Sequence, residues 1–345
     1  MALQASGPIS FSQISNEFGT PPSKNLGAYR LTQTIGELTR PLDDGIPTFG
    51  SISFGNFRGK RLNVVVDFHS IANDTTRKDA RDRYNDNGVT VIGGFRSRPT
   101  NSTGTKVYIN INRRIGSDKG GRNNVALKTG SWDNDTQLIT IIGSSGSLYG
   151  AGGNGGAGGG IPSVAGQGGQ GSSALGIQYP TSIINQGVIF AGYGGGGGGA
   201  GGWGWTFADT QDGCEGRRDQ TLRIGGGGGA GGAGLPAGNG GPANTQTSQR
   251  GTTSNYAGSG SSGTINSNGS GGGGGSTSGG SGCNRHAFSG GGGGAQGGGG
   301  SGDVSFGGGG SGGQRGYAII IGSGGSIISY SGNPEDGDRV NGTVS

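Results

Sequence analysis

The sequence has few of the side chains from which large hydrophobic cores and catalytic centres are built. Apolar residues make up 28% of its 345 residues, against about 45–50% in ordinary globular proteins. One large hydrophobic core is therefore not expected. Charged residues make up only 13%, which argues against a chain kept disordered by its own net charge.

Residues for catalysis are also scarce. His69 and His286 are the only histidines, and no G-x-S-x-G, H-E-x-x-H or Walker-type pattern occurs, so triad, zinc and phosphate chemistries lack their parts. Asp67 and His69 share one face of an apolar strand, where we expect a structural role. The run Glu335 to Asp338 lacks the full calcium-loop pattern. We predict no enzyme, no metal and no cofactor; the enzymatic alternative is a glycan depolymerase with paired carboxylates.

The charge pattern and the hydropathy exclude two kinds of partner. The net charge of +5 is scattered, without a basic run, so no nucleic acid is expected as a partner. No apolar stretch reaches 18 residues and residues 1–7 lack a charged leader, which predicts no membrane insertion and no signal peptide. Synthesis in the cytosol follows from these expectations.

What the sequence has in abundance is glycine, with 91 residues. Side chains recur at every third position of the glycine tracts, as in Ala151, Asn154 and Ala157, with two glycines between each pair. A threefold extended helix of polyproline II shape has this period. Because two of its three faces would carry only hydrogen, such helices can approach and bond backbone to backbone. The alternative is a flexible glycine linker.

The remaining sequence predicts short strands. In residues 1–60 the phrase Gly7 to Ile14 returns as Gly50 to Phe57, and each copy reads as a half-buried strand within an extended segment. Residues 61–149 predict five or more antiparallel strands separated by Gly, Asn and Asp. These strands are Leu62 to Phe68, Val89 to Phe95, Val107 to Ile111, Val125 to Leu127 and Leu138 to Ile142. Asp74 to Arg83 predicts a short helix or a hairpin loop.

Three apolar phrases, at 139–149, 182–189 and 318–328, each predict a β-hairpin around a Gly or Asn turn. The predicted fold class is thus mainly β, with hairpins clamping a bundle of polyglycine II helices. The predicted segments are an extended attachment segment (1–60), a small β-rich base (61–149), the glycine bundle (150–316) and a C-terminal hairpin with its tail (317–345).

Two parts of the sequence resemble proteins of tailed-phage virions. The apolar phrases followed by glycine runs, at 139–159 and 182–202, resemble the glycine-rich adhesins at the tips of T-even-like long tail fibres and the C-terminal part of lambda-like tail-tip proteins. The repeated G-x-I-S-F phrase resembles a virion-attachment module. The resemblance implies packed glycine helices whose connecting loops bind a host glycan, lipopolysaccharide or outer-membrane protein. The base does not look like the tip adhesin's fibre-docking domain.

If the tracts run back and forth, their connectors at 203–224, 239–257 and 281–289 emerge at the far end and form the contact surface. Aromatic residues and arginine supply most interface energy, and these types select the contact candidates. The candidates are Trp203, Trp205, Phe207, Arg217, Arg218, Arg250, Tyr256, Arg285, His286 and Phe288. Cys214 and Cys283, the only cysteines, fall in two of these connectors, where either a disulfide or two free thiols fit.

The predicted function is a receptor-binding protein of the virion, at a tail fibre or tail tip, joined to other phage proteins through residues 1–60. The alternative is a purely structural virion protein, such as a tail-tip, fibre-connecting or capsid decoration component. A homotrimer is left open, because fibre proteins commonly share threefold symmetry but the sequence does not count subunits.

Overall fold

A computed structural model describes residues 2–86, 88–160, 163–207, 218–244, 253–255, 257–274, 276–278, 288–289 and 309–341. In the strands between Gly202 and Ser289 only the backbone is described. Within these residues strand is the main regular structure, which confirms the mainly β fold class. Helix α1 spans Phe11–Phe18 and α2 spans Ala80–Asn85, the latter being the short helix foreseen in 74–83. Short 3-10 helices span Leu26–Tyr29 and Phe54–Phe57.

The strands are short and are distributed along the whole chain. In chain order they are β1 Thr32–Ile35, β2 Leu38–Pro41, β3 Asn63–Asp67, β4 Thr75–Thr76, β5 Lys78–Asp79, β6 Val89–Val91, β7 Lys106–Ile111, β8 Arg114–Gly116, β9 Val125–Lys128, β10 Gln137–Ile142, β11 Ser147–Tyr149, β12 Ser173–Ile177, β13 Thr181–Asn185, β14 Val188–Phe190, β15 Gly202–Phe207, β16 Arg218–Ile224, β17 Thr253–Asn255, β18 Ser276–Ser278, β19 Phe288–Ser289, β20 Ile319–Ile321, β21 Ile327–Gly332 and β22 Arg339–Asn341.

Three of the sheets form a solenoid. Their strand orders are β6-β3-β7-β10-β13-β21, β4-β8-β11-β14 and β5-β9-β12-β20-β22. Each turn of the chain, here called a coil, adds one strand to each sheet: β3-β4-β5, β7-β8-β9, β10-β11-β12, then β13-β14-β20. In the last coil β21 and β22 flank a single parallel bridge between Asp336 and Phe190. All neighbours in these sheets are parallel except β3 and β6.

Residues at equal positions of successive coils stack inside the solenoid. Val64 pairs with Val107 and Val107 with Leu138, and all three are buried. Two residues after Leu138 on β10, Thr140 lies beside Thr181 in the interior, and their hydroxyl oxygens are 3.1 Å apart. Each hydroxyl thereby gains a partner in the interior, where an unpaired polar group would be costly.

The five predicted strands of 61–149 lie at the predicted places, but their predicted antiparallel pairing is wrong, β3–β6 excepted. The three predicted hairpins are wrong as well. In each phrase the two strands flank a corner and enter different sheets, as β10 and β11 do. The apolar positions explain this, because a residue such as Ile142 pairs with Ile111 of the coil below and not across its own turn.

The first 60 residues are folded, so the predicted extended segment is wrong. The two predicted strands of the repeated phrase are helices. Ser10 caps α1: its hydroxyl oxygen accepts the amide of Gln13 (3.2 Å), whose side-chain oxygen accepts the amide of Ser10 (2.8 Å). In the second copy the amide of Ser53 donates to Asn56 Oδ1 at 2.8 Å. The pattern S-x-x-Q of the first copy is a helix-start signal, and there it outweighs the alternation of apolar residues.

This N-terminal part packs on the solenoid. Ile14, Phe18, Tyr29 and Phe57 are fully buried in the same core cluster as the sheet residues. At the β1–β2 turn, Glu37 accepts hydrogen bonds from Ser144 and Ser145 beyond β10. These bonds, that from the Ser145 hydroxyl first, lower the pKa of Glu37. The segment therefore covers apolar surface that the solenoid alone would expose.

The glycine tracts are two insertions at one corner of the solenoid. The first leaves after β11 and returns to β12, and the second leaves after β14 and returns to β20. Backbone hydrogen bonds join the tracts along their lengths. The described tracts are 150–160, 163–172, 191–201, 225–234, 235–244, 257–264, 267–274 and 309–317.

Tract 150–160 shows how the tracts bond to one another. Every third amide, at Gly153, Gly156 and Gly159, donates to tract 191–201 at 2.8 Å. The carbonyl oxygens of the same three glycines accept amides from tract 225–234. A second series, which begins at Gly152, donates to tract 235–244. The period of three in these bonds is the one that the predicted polyglycine II bundle requires.

The side chains at every third position have two different environments. Asn154, Ala157, Gln167, Gln170 and Gln314 are exposed, as predicted for a face turned to the surface. The alanines at 151, 200, 230 and 233 are instead buried.

The predicted division of the chain into four segments stays a prediction. Strands on both sides of the boundaries at 149 and 316 share sheets, since β12 pairs with β9 and with β20.

Candidate functional site

The tracts run alternately away from the solenoid and back to it. Tract 150–160 leaves β11, and tract 163–172 returns beside it. The amide of Gly166 donates to the carbonyl of Ala157, and the amide of Ser172 donates to the carbonyl of Ala151. Tract 225–234 also returns to the solenoid. The amide of Gly226, near its start, donates to the carbonyl of Gly159, and the amide of Leu235, just after its end, donates to the carbonyl of Gly150. The far end of the bundle, where residues 160, 201, 225 and 244 lie, is called the distal end below.

The first predicted connector forms a strand pair at the distal end. β15 follows tract 191–201 and pairs antiparallel with β16, which leads into tract 225–234. Trp203 pairs with Arg223, Trp205 with Thr221 and Phe207 with Arg218, with a register shift between Thr206 and Phe207. Four of the predicted contact residues, Trp203, Trp205, Phe207 and Arg218, therefore lie on one two-stranded ribbon.

The other two predicted connectors meet in a small antiparallel sheet. β17, from the second connector, pairs with β18, and β18 pairs with β19 from the third. Phe288, a predicted contact residue, is the first residue of β19 and pairs with Thr277. β19 in turn lies beside β15. The backbone thus brings all three predicted connectors together at one end of the bundle.

Several predicted site residues lie outside the described residues. They are Arg217, Arg250, Tyr256, Arg285 and His286 among the contact candidates, and the cysteines Cys214 and Cys283. Their placement at the distal end stays a prediction.

One described residue at this end was not foreseen. Val164 is the second residue of tract 163–172, and its side chain is 89% exposed. At the preceding residue, Asn244 Nδ2 donates to Ser163 Oγ at 3.4 Å, which joins the ends of two tracts. A single valine between Ser163 and Ala165 carries no pattern from which a contact role can be predicted.

Charged side chains lie where the bundle meets the solenoid. The guanidinium of Arg315 lies 4.1 Å above the ring of Tyr193 and forms an ion pair with Asp336 at 2.7 Å. Tyr193 also packs against Phe190 of β14, with ring centroids 5.5 Å apart. These contacts fix the inner ends of two tracts on the solenoid.

The loop between β8 and β9 holds the same junction from another side. Arg122 lies 3.9 Å above the ring of Tyr317 and donates from Nη1 to Gln314 Oε1 at 2.7 Å. Lys119 Nζ donates to Asn154 Oδ1 at 3.0 Å, and burial lowers the pKa of this lysine. The loop therefore contacts two different tracts.

Asp67 and His69 are linked through the backbone, since the amide of His69 donates to Asp67 Oδ1 at 2.9 Å. In the part of the chain that the structure describes, no three His, Cys, Asp or Glu side chains are grouped as metal ligands. Among the same residues no helix has the length and apolar character needed to span a bilayer.

Comparison with known proteins identifies the family. The family model of the phage tail fibre adhesin Gp38 matches residues 85–288, more than half of the chain. The chain belongs to this adhesin family. The match includes the glycine tracts from 150–160 to 267–274, the first two predicted connectors and the third up to residue 288. A tail fibre adhesin is a protein of the phage tail, so the adhesin belongs to the virion.

Among solved structures, the adhesin is similar to the gp37–gp38 adhesin tip complex of the bacteriophage S16 long tail fibre. The two share 18% sequence identity with a TM-score of 0.35, and the alignment covers 97% of this chain and 99% of that one. No curated protein matches the sequence.

Proposed function

We propose that the adhesin binds the host cell surface through the connectors at its distal end. The observation that carries this proposal is the meeting of three connectors, distant in sequence, at the end of the bundle opposite the solenoid. Binding loops are effective when a rigid scaffold positions them, and the bonded tracts provide such a scaffold. The receptor is a surface glycan, a lipopolysaccharide or an outer-membrane protein, and the binding includes no chemical step.

Competition for adsorption tests this proposal. The purified adhesin should occupy receptors and reduce attachment of the phage to its host in a dose-dependent manner. Trp205→Ala and Arg218→Ala, both on the distal ribbon, should weaken the block by about tenfold or more, as expected for interface hot spots. Arg77→Ala, at a half-exposed arginine of the solenoid, is the matched control and should block like the wild type.

If saturating adhesin leaves adsorption unchanged, the proposal is wrong and a purely structural role in the virion replaces it. Turnover of host polysaccharide by the purified adhesin would instead show an enzyme.

We further propose that the N-terminal 60 residues join the adhesin to another protein of the phage tail. Phe49 is 86% exposed and Phe54 is 42% exposed, although both are large apolar residues. Exposed apolar side chains this close in sequence are typical of an interaction surface. Virions that carry Phe49→Asp should assemble but lack the adhesin, whereas a Val164→Asp adhesin should still be incorporated. Normal incorporation of Phe49→Asp contradicts this attachment. A homotrimer stays a prediction, which sedimentation of the purified adhesin tests.

A further inference from the structure

A polar groove crosses the junction between the solenoid and the glycine bundle. It consists of two adjoining cavities of about 580 and 510 Å³, here called the inner and the outer cavity, and both are lined by Arg122 and Gln314. The inner cavity lies against the β8–β9 loop and the outer cavity against Tyr193 and Asp338. The groove lies at the inner ends of the tracts, whereas the distal connectors lie at the outer ends.

The lining of the inner cavity contains no aliphatic side chain. It consists of the glycines 120 and 121, the side chains of Arg122, Asn123 and Asn124, those of Gln170 and Gln314, and the ring of Tyr317. The amides both donate and accept hydrogen bonds, and the glycines let a ligand approach the backbone closely. Such a surface suits a ligand that carries many hydroxyl groups.

Arg122 is held in the groove by contacts on two sides. The Tyr317 ring lies against its guanidinium plane, and Gln314 Oε1 accepts from Nη1. Its Nε is buried and has no hydrogen-bond partner among the described residues, and the same holds for Nε of Arg315 in the outer cavity. Buried donors are nearly always paired, so each of these two guanidinium groups carries a donor for which the described residues supply no acceptor.

The amides are also arranged in a regular way. Tracts 163–172 and 309–317 lie side by side, because the amide of Gly171 donates to the carbonyl of Gln314 at 2.9 Å. Gln170 and Gln314 therefore stand next to each other at the root of the bundle. Gln167 lies three residues before Gln170 on the same tract, further from the solenoid, and is also exposed. At a rise of ~3.1 Å per residue, the two glutamines are about 9 Å apart along the tract.

We propose that this groove binds a saccharide chain, as a second site apart from the distal connectors. A nucleic acid would require several cations for its phosphates, and the outer cavity includes the carboxylate of Asp338. A protein partner would require a pocket for an apolar or aromatic anchor, which the inner lining does not provide. Hydroxyl groups can pair with the amides, with the guanidinium groups and with the glycine backbone.

The test uses the full-length adhesin and three hexasaccharides of different chemistry, namely maltohexaose, chitohexaose and hexagalacturonic acid, in saturation-transfer NMR and calorimetry. At least one of them should bind. Gln170→Ala and Gln314→Ala should weaken that binding by about fivefold each, the effect of losing one hydrogen bond. Gln167→Ala changes the same residue type on the same tract outside the groove, and should stay within about twofold of the wild type.

The proposal is wrong if none of the three saccharides binds, or if Gln167→Ala weakens binding as much as Gln170→Ala does. Thermal unfolding of each variant separates loss of a contact from loss of fold, since all three glutamines are exposed. Failure of the groove would leave the adsorption block by the distal connectors intact. Failure of that block would conversely leave saccharide binding by the groove unchanged, so the two proposals can be distinguished.

Discussion

At the scale of single residues, the bundle depends on glycines whose α-hydrogen faces a neighbouring backbone. A Cβ added at Gly156 would overlap the carbonyl oxygen of Gly166, so tracts at this spacing tolerate no side chain there. We expect Gly156→Ala to lower the free energy of unfolding by about 1–3 kcal/mol, the usual cost of overpacking. Chemical denaturation measures this change.

Ala157→Ser is the matched control for Gly156→Ala. Ala157 is the next residue on the same tract, but its side chain is exposed, so the added hydroxyl meets water. A Gly156→Ala protein as stable as Ala157→Ser would show that the tracts are less closely packed than described.

Asp133 makes part of the stability dependent on pH. Its carboxylate accepts hydrogen bonds from the amide and hydroxyl of Ser102, at 2.7 and 2.9 Å, and from Arg81 at 3.0 Å. The bond from the Ser102 amide is the main cause that lowers the pKa of Asp133 in the folded state. Since the folded pKa lies below the unfolded one, this stabilisation is complete above the ordinary aspartate pKa and is lost as pH falls through the folded pKa.

We expect Asp133→Asn to lower the free energy of unfolding by about 1 kcal/mol at pH 7, because it removes a hydrogen-bonded charge pair. The loss should shrink as the pH falls below 4. Urea unfolding at several pH values measures both effects, with Asp86→Asn, at an exposed aspartate, as the control. An unchanged pH dependence in Asp133→Asn would contradict this role.

The polyglycine II helix was predictable from the sequence, because a side chain at every third position follows directly from its three residues per turn. The environment of each third residue was not predictable. Ala157 is exposed and Ala230 is fully buried, although both stand in the same pattern. Burial depends on how many tracts surround a given tract, and the local sequence does not encode that number.

At the scale of secondary-structure elements, α1 shows how a cap decides between helix and strand. We expect Ser10→Ala to destabilise the adhesin by about 1 kcal/mol, the usual loss for an N-cap residue, because Gln13 then lacks its partner. Ser12→Ala, inside the same helix and exposed, should be neutral or slightly stabilising, since alanine favours helix. Thermal unfolding compares the two variants, and equal midpoints would contradict the capping role.

The strands of the solenoid were predictable in position but not in pairing. Alternation and β-branched residues predict a strand, whereas the partner of a strand lies on another coil, about 30 or more residues away in the chain and, for β20, beyond a glycine insertion. One signal was present and pointed to parallel sheets: continuous apolar runs such as Val64-Val65-Val66 and Ile319-Ile320-Ile321 are typical of strands buried on both faces. The position of the distal connectors was predicted from the back-and-forth course of the tracts, but the pairing of the second and third connectors in one sheet beside the first was not.

At the scale of the whole molecule, the solenoid and the bundle depend on each other. The glycine insertions all leave and return at one corner of the solenoid, between its second and third sheets. Stacked coils therefore set the spacing of the tract roots, and the N-terminal part packs into the same core as the sheets. A bundle on this foundation can hold connectors of varied sequence without a core of its own.

A disulfide between Cys214 and Cys283, which stays a prediction, would act at this scale too, because it would tie two distal connectors together. We expect alkylation of the unreduced adhesin to leave its intact mass unchanged, and alkylation after reduction to add two groups. Two added groups without reduction would show free thiols.

The measurement that tests the central claim most directly is hydrogen–deuterium exchange of the intact adhesin, resolved by peptide mass spectrometry. If the glycine tracts bond to one another as described, amides in 150–160 and 225–234 exchange as slowly as those of β7 and β10 in the solenoid. Complete exchange of these tracts at the shortest labelling time, as in a free glycine linker, would contradict the account and remove the scaffold from the proposed binding surface.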